Sequence, residues 1–189
     1  MKHVESWKDI DSSPMPIAPF KQHMPRIPSP WFVAPDAWVI GDVEIGREVS
    51  IFFGAVLRGD ILSIKVGDRS NIQEHAVLHT SSGLTPCSVG REVTIGHRAI
   101  IHGATVHDRC IIGMGSTLLD GAVVEENCII GAHALVTMNT VIPAGHLALG
   151  APAKPVRKLT EAELKQIKES ARHYVSLGQT HATTLTVAR

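Results

Sequence analysis

His79 and His102 hold the same place in a six-residue aliphatic rhythm, each directly after a beat residue, Leu78 and Ile101, and Arg58 holds it after Leu57. Imidazole is the commonest metal ligand among side chains, so histidines that return at one phase of a repeat point first to metal chemistry. Twenty-three residues separate the two, five more than three units of six, and the turn-rich segment after His79 carries the excess. If three units close one coil, the two histidines stand about one strand spacing apart, roughly 4.8 Å. Both imidazoles can then converge on one ion, with Zn–N distances of about 2.0–2.1 Å. His97 is placed differently, two positions after the Ile95 beat, on the preceding face and near a corner. A single prism does not gather all three. A symmetric oligomer does so if one subunit supplies two ligands and its neighbour the third, and a cyclic trimer is the simplest closure. Three nitrogen ligands with a fourth position left to water is the arrangement of catalytic rather than structural zinc.

The other histidines have an ordinary reading as solvated or hydrogen-bonded surface groups: His3, His23, His107, His133, His146, His173 and His181. Cys87, Cys110 and Cys128 each lie two residues before a beat, the slot that Ala99, Ala122 and Ala134 fill elsewhere. They read as small inward-facing packing groups, not ligands or nucleophiles. With no CxxC and an odd count they give no disulfide framework. Lysine plus arginine equals aspartate plus glutamate at 18 each, so no net field recruits nucleic acid or an anionic membrane surface. No apolar run is long enough for a span and the first residues lack a signal-peptide core, so a cytoplasmic protein is expected.

The elements that must position these side chains follow from the rhythm. Ile45, Ile51, Leu57, Val66, Ile72, Leu78, Val89, Ile95, Ile101, Val106, Ile112, Leu118, Val124, Ile130, Val136 and Ile142 keep the beat, often followed by glycine. Segments this short and rich in Val, Ile and Thr cannot be helices, so each unit predicts a short strand and a turn, stacked as coils of a solenoid. Aliphatics dominate over the 4% of aromatics, which suits a narrow core. The beat breaks between Leu57 and Val66, between Leu78 and Val89 and between Ile101 and Val106, and these breaks predict loops; Thr80–Pro86 has turn composition. Residues 1–30, with prolines at 14, 16, 19, 25, 28 and 30, predict an extended arm. The array fills 31–158. A helix over 159–178 opens on the capping box Thr160-x-x-Glu163, carries Leu164, Ile167, Ala171, Tyr174 and Val175 on one stripe, and stops at Gly178, leaving a tail over 179–189.

Six strings carry a resemblance. They are Val56-Leu57-Arg58-Gly59-Asp60, Val66-Gly67-Asp68-Arg69-Ser70-Asn71-Ile72-Gln73-Glu74, Val77-Leu78-His79, Ile95-Gly96-His97-x4-His102-Gly103, Ile112-Gly113-Met114-Gly115, and Leu149-Gly150-x-Pro152-Ala153-Lys154. As an ordered set over roughly residues 33–158 they resemble the gamma-class carbonic anhydrase family. The resemblance implies an all-β, left-handed parallel β-helix with a C-terminal α-helix, a homotrimer, and zinc between subunits, with iron or cobalt as substitutes. It puts His79, His97 and His102 on the ligand positions, Arg58 and Asp60 on a pair meeting across the interface, and Asn71 and Gln73 near the metal. The implied reaction is reversible hydration of CO2 to bicarbonate by a zinc-bound hydroxide.

The sequence departs from well-known active members in two places. Ile61 follows Asp60 where an acidic residue is expected, and residues 80–88 contain no Glu or Asp. Metal binding survives this better than fast turnover, and His75 and Tyr174 are substitutes for the missing proton carrier. Two other readings remain open: a thioesterase-like hydrolase of acyl-CoA, in which the same metal hydroxide attacks a thioester, and a metal-binding trimeric assembly protein with weak catalysis.

Overall fold

In the computed structural model, which describes residues 17–28 and 32–185, the chain winds as a left-handed parallel β-helix of about seven turns closed by one C-terminal helix. Most strands are two or three residues long, as the six-residue unit demands, and successive coils pair in parallel register. Leu57 stands beside Leu78 and Leu78 beside Ile101, the column expected from the beat. Every beat residue is at most 3% exposed, and Ile72, Leu78, Ile95 and Ile101 are wholly buried. Burying a side chain of this size stabilises by about 1.5–3 kcal/mol, so the rhythm itself is the core. Cys87, Cys110 and Cys128 point inward and are fully buried, and burial pushes the Cys87 thiol up to about 12.

The corners need left-handed backbone. His75, Arg98 and His133 adopt φ of +59°, +58° and +57° at one corner, with Gly54 and Gly115 in the same stack. These glycines are required: a Cβ on Gly54 would sit 2.4 Å from the His75 ring, which lies over it.

Two expectations change. The interval from Leu57 to Val66 is no loop but one continuous strand, Val56–Val66, which starts beside Val77–His79 on one face and ends beside Cys87–Val89 on the next. Its extra residues stay extended because the Leu62 N–H donates to the Thr80 hydroxyl at 3.1 Å, which replaces a ladder bond at the corner. The helix does not stop at Gly178 but runs Glu161–Thr184. Gly178 is buried inside it, where an added Cβ would meet the Ser50 Cβ at 2.9 Å. The glycine marks close helix-to-sheet approach rather than a terminus, and tertiary packing overrides its weak helix propensity. The Thr160 and Glu163 capping box is present, and Ile167 and Ala171 are buried on the expected stripe. Residues 80–86 form a loop, as expected, exposed over 82–86 and anchored by the buried Thr80.

Of the N-terminal arm, residues 17–28 are described. Ile17–Ala18 pairs with Val39–Ile40 at a sheet edge, and Arg26 bonds the backbone of Val43 and Ile45. Among the described residues no helix is long and apolar enough to cross a membrane.

Candidate metal centre

His79 ends the strand Val77–His79 and His102 ends Ile100–His102, and the two are direct register partners. Their rings approach with His79 Nδ1 3.3 Å from His102 Nε2. The opposite nitrogens are occupied by carboxylates: His79 Nε2 lies 3.1 Å from Asp60 Oδ1, and His102 Nδ1 lies 2.8 Å from Asp120 Oδ2. A carboxylate at one ring nitrogen fixes the proton there and leaves the other nitrogen as a lone-pair donor. The two donors therefore face each other. Two nitrogens on one tetrahedral zinc stand about 3.3 Å apart when each bond is about 2.0–2.1 Å. The pair fits half of a zinc site as it stands.

Asp120 is held in a tight place. It is 8% exposed, its Oδ1 is buried without a hydrogen-bond partner, and a Cβ on Gly103 would lie 2.2 Å from that oxygen. Gly103, at φ +56°, both turns the corner after His102 and leaves room for the carboxylate.

His97 stands apart, at the corner between Thr94–Ile95 and Ile100–His102. Its Nδ1 lies 2.5 Å from Glu74 Oε2, one coil below, so its Nε2 is the free donor. Among the described residues no three His, Cys, Asp or Glu side chains converge on a common point. His79 and His102 share one face and His97 lies elsewhere, the placement that the rhythm predicts.

Beside His97, Gln73 and Asn71 are 4% and 0% exposed. Gln73 Nε2 donates to Asn71 Oδ1 at 3.2 Å, Asn71 Nδ2 donates to Thr94 Oγ1 at 2.9 Å, and Thr94 shares a 2.9 Å bond with Ser170 of the helix. This chain of bonds fixes the amides and leaves the Gln73 carbonyl free to accept. The helix thus braces the His97 half of the site.

Arg58 pairs with Asp60 in its own chain. Residues two apart in a strand share a face, so the pair forms without a partner. Desolvation tends to raise the Asp60 carboxyl, but hydrogen bonds from Arg58 and His79 outweigh it and hold the group below its usual range. Tyr174 packs edge-on against Phe52 at 5.8 Å. Burial, and then the Glu74 charge, push its phenol above the ordinary range, so near neutral pH it keeps its proton and cannot collect another. His75 is exposed and lies over Gly54.

Glu74, Asp120, Thr94 and Ser170 were not singled out by sequence reasoning, although Glu74 closes one of the six strings. Their partners lie 23, 18, 23 and 76 residues away, so only the assigned coil register could have found the first three.

Outward from the same face runs an apolar column in register, Trp38, Val56, Val77 and Ile100, with Trp38 and Ile100 each 39% exposed. It ends beside the two histidines.

Comparison with known proteins gives a consistent result. The family model for the bacterial transferase hexapeptide, six repeats, matches residues 103–138. The chain is 48% identical to the mitochondrial gamma carbonic anhydrase 2 of Arabidopsis thaliana, over 84% of this chain and 59% of that protein. It is 43% identical to a carbonic anhydrase of Geobacillus kaustophilus, over 86% of this chain and 89% of that one. It therefore spans less than two thirds of the Arabidopsis relative's length, and most of the bacterial one's. A Bacillus cereus structure provisionally assigned as an acetyltransferase superposes with a TM-score of 0.87 at 39% identity, covering 89% of this chain and 98% of that one.

Proposed function

The chain belongs to the gamma-class carbonic anhydrase family, and on that premise we propose that it catalyses reversible hydration of CO2 to bicarbonate at a zinc site shared between two subunits of a homotrimer. The observation that carries this reading is the in-register His79 and His102 pair, whose free nitrogens face each other at 3.3 Å, with a third carboxylate-held histidine on another corner. The apolar column that ends at this pair supplies the face for a second copy, whose own His97 completes the set. Partly exposed apolar columns of this kind mark interaction surfaces.

When bound, zinc supplies the Lewis acidity that makes water nucleophilic near neutral pH; cobalt and iron accept the same imidazoles. The chain's own groups do the rest. Asp60, Asp120 and Glu74 fix the ligand tautomers. Gln73, locked by Asn71, presents a carbonyl that orients the attacking group toward CO2. Arg58 offsets the Asp60 charge and, at 42% side-chain exposure, attracts bicarbonate at the edge of the site. Fold alone does not separate this from acyl transfer, since solenoids of this kind host several chemistries. The complete histidine trio favours CO2.

Stopped-flow CO2 hydration by zinc-loaded protein, run beside acyl-CoA hydrolysis, tests the reading. Hydration above the buffer rate that disappears with His102→Ala supports it. Thioester hydrolysis without hydration moves the assignment to an acyl-CoA hydrolase, and neither activity with zinc fully bound leaves a metal-binding assembly protein.

A further inference from the structure

Each turn of CO2 hydration releases one proton, and the site as described has no obvious way to export it. Ile61 stands after Asp60, 45% exposed, and the loop 80–88 has no carboxylate. Tyr174 keeps its proton, and His75 is turned onto Gly54. A cavity of about 400 Å³ opens on the far side of Asp60, and its opposite wall is the arm. Asp60, Ile61, Leu62 and Ser63 form one side and Phe20, Lys21 and His23 the other. His23 is exposed and, among the described residues, is the one imidazole lining this space.

The arm holds His23 in place. Phe20 and His23 exchange backbone bonds of 2.9 and 3.0 Å around Lys21 at φ +51°, a closed turn. On one side of it Ile17–Ala18 pairs with Val39–Ile40; on the other Arg26 bonds Val43 and Ile45. Gly41 keeps the turn close, since a Cβ there would sit 3.2 Å from the Phe20 Cβ and 2.4 Å from the Gly59 carbonyl oxygen. The cavity is roomy enough for several waters, each needing two to four polar partners, which Asp60, Ser63 and Asp42 supply.

We infer that His23 is the proton-exporting group of this enzyme, taking the proton from the Asp60 side of the site through water in this cavity. The inference rests on the CO2 reading above. One neutral ring nitrogen accepts the proton, and the resulting imidazolium gives it to a buffer base in solvent, so the residue returns to its starting form each turn. Histidine is suited to this because the side-chain type changes charge near neutral pH. The charged groups facing it are Lys21 on its own turn, Asp42 and Asp60 across the cavity, and the partners of those carboxylates, Arg26 at 3.9 Å from Asp42 and Arg58 on Asp60.

Full-length zinc-loaded protein and its His23→Ala variant are compared by stopped flow in low concentrations of a buffer too bulky to enter the cavity. We expect kcat to fall by about tenfold or more, as general acid–base groups give, with kcat/KM for CO2 unchanged and with imidazole restoring kcat. Zinc content and trimer mass should match wild type. A readout independent of turnover is the His23 ring signal in NMR spectra of the zinc form, which should move when Asp60→Asn is introduced while that of His133 stays fixed. A wild type without hydration activity overturns the functional reading and this inference with it. An active wild type whose kcat ignores His23→Ala, or a His23 signal indifferent to Asp60→Asn, overturns this inference alone.

Discussion

The half of the site built on His79 and His102 and the half built on His97 use one device in two settings. In both, a carboxylate one coil away fixes a ring nitrogen: Asp60 and Asp120 on one face, Glu74 at the other corner. The first half lies within a ladder, where strand register alone brings two donors to 3.3 Å. The second is a single imidazole on a turn, held by Glu74, with Gln73 and Asn71 nearby tied through Thr94 and Ser170 to the helix. A solenoid can repeat a ligand along a column, but it cannot turn one face toward another. The difference is what leads to the proposal that the chain completes its site by association.

The largest effect expected is loss of the site itself. His102→Ala and His97→Ala should each remove nearly all bound zinc and CO2 hydration while leaving circular dichroism unchanged, because neither side chain belongs to the aliphatic core. Refolding the two inactive variants together should restore metal and activity, since one interface of each mixed trimer again holds all three ligands. Recovery reads out directly in metal analysis of the mixture. No recovery would mean that the halves meet inside one chain.

Ile101→Ala, one residue from His102, strikes the core instead. It should cost about 2–5 kcal/mol in urea unfolding, as buried large-to-small changes do. Zinc affinity at temperatures where the variant remains folded should change far less than in His102→Ala.

Asp120→Asn and Glu74→Gln compare the carboxylates of the two halves. Each should weaken zinc binding by about 10–100-fold, the usual effect of removing the group that orients a ligand. Competition with a chelator measures this. A larger loss from Asp120 is expected, because its unpartnered Oδ1 shows that the carboxylate is buried there for the imidazole alone.

These contrasts also mark what the sequence made legible. The beat gave the coils, and Leu57, Leu78 and Ile101 gave the face, because a period of six has one inward position and register follows from it. The same count separated His97 from the other two. The ion pair that Arg58 and Asp60 make within one strand was not read from their two-residue spacing, because the resemblance directed attention to a cross-subunit role. Asp120 and Glu74 escaped notice since exposed carboxylates occur at many solenoid positions, and only the coil above or below says which has a histidine to hold. Gly178 was misread because a glycine that ends a helix and one that lets a helix approach a sheet look alike until the sheet is present.

The smallest effect concerns the helix that braces only the His97 half. Its first turn is tied by Glu163, which pairs with Arg157 through two 2.8 Å bonds and accepts from the Thr160 backbone at 2.8 Å. The Arg157 guanidinium first, then the Thr160 donors, hold the Glu163 carboxyl at about 2 against its ordinary 4.5. A carboxyl depressed in the folded state binds its proton more readily when unfolded, so its contribution to stability is complete above pH 4.5 and fades as pH falls toward 2. Glu163→Gln should therefore lower the melting temperature by a few degrees at pH 6, and the gap to wild type should narrow steadily over that window. Because Arg157 is exposed and Glu163 partly so, salt should shrink the gap as well. A gap that holds constant from pH 6 to pH 3 would show that the cap acts through hydrogen-bond shape alone. Zinc affinity should barely move, since the partner of His97 is Glu74, and Ser170, which ties the helix to Thr94, lies in mid-helix and stays docked when the first turn frays.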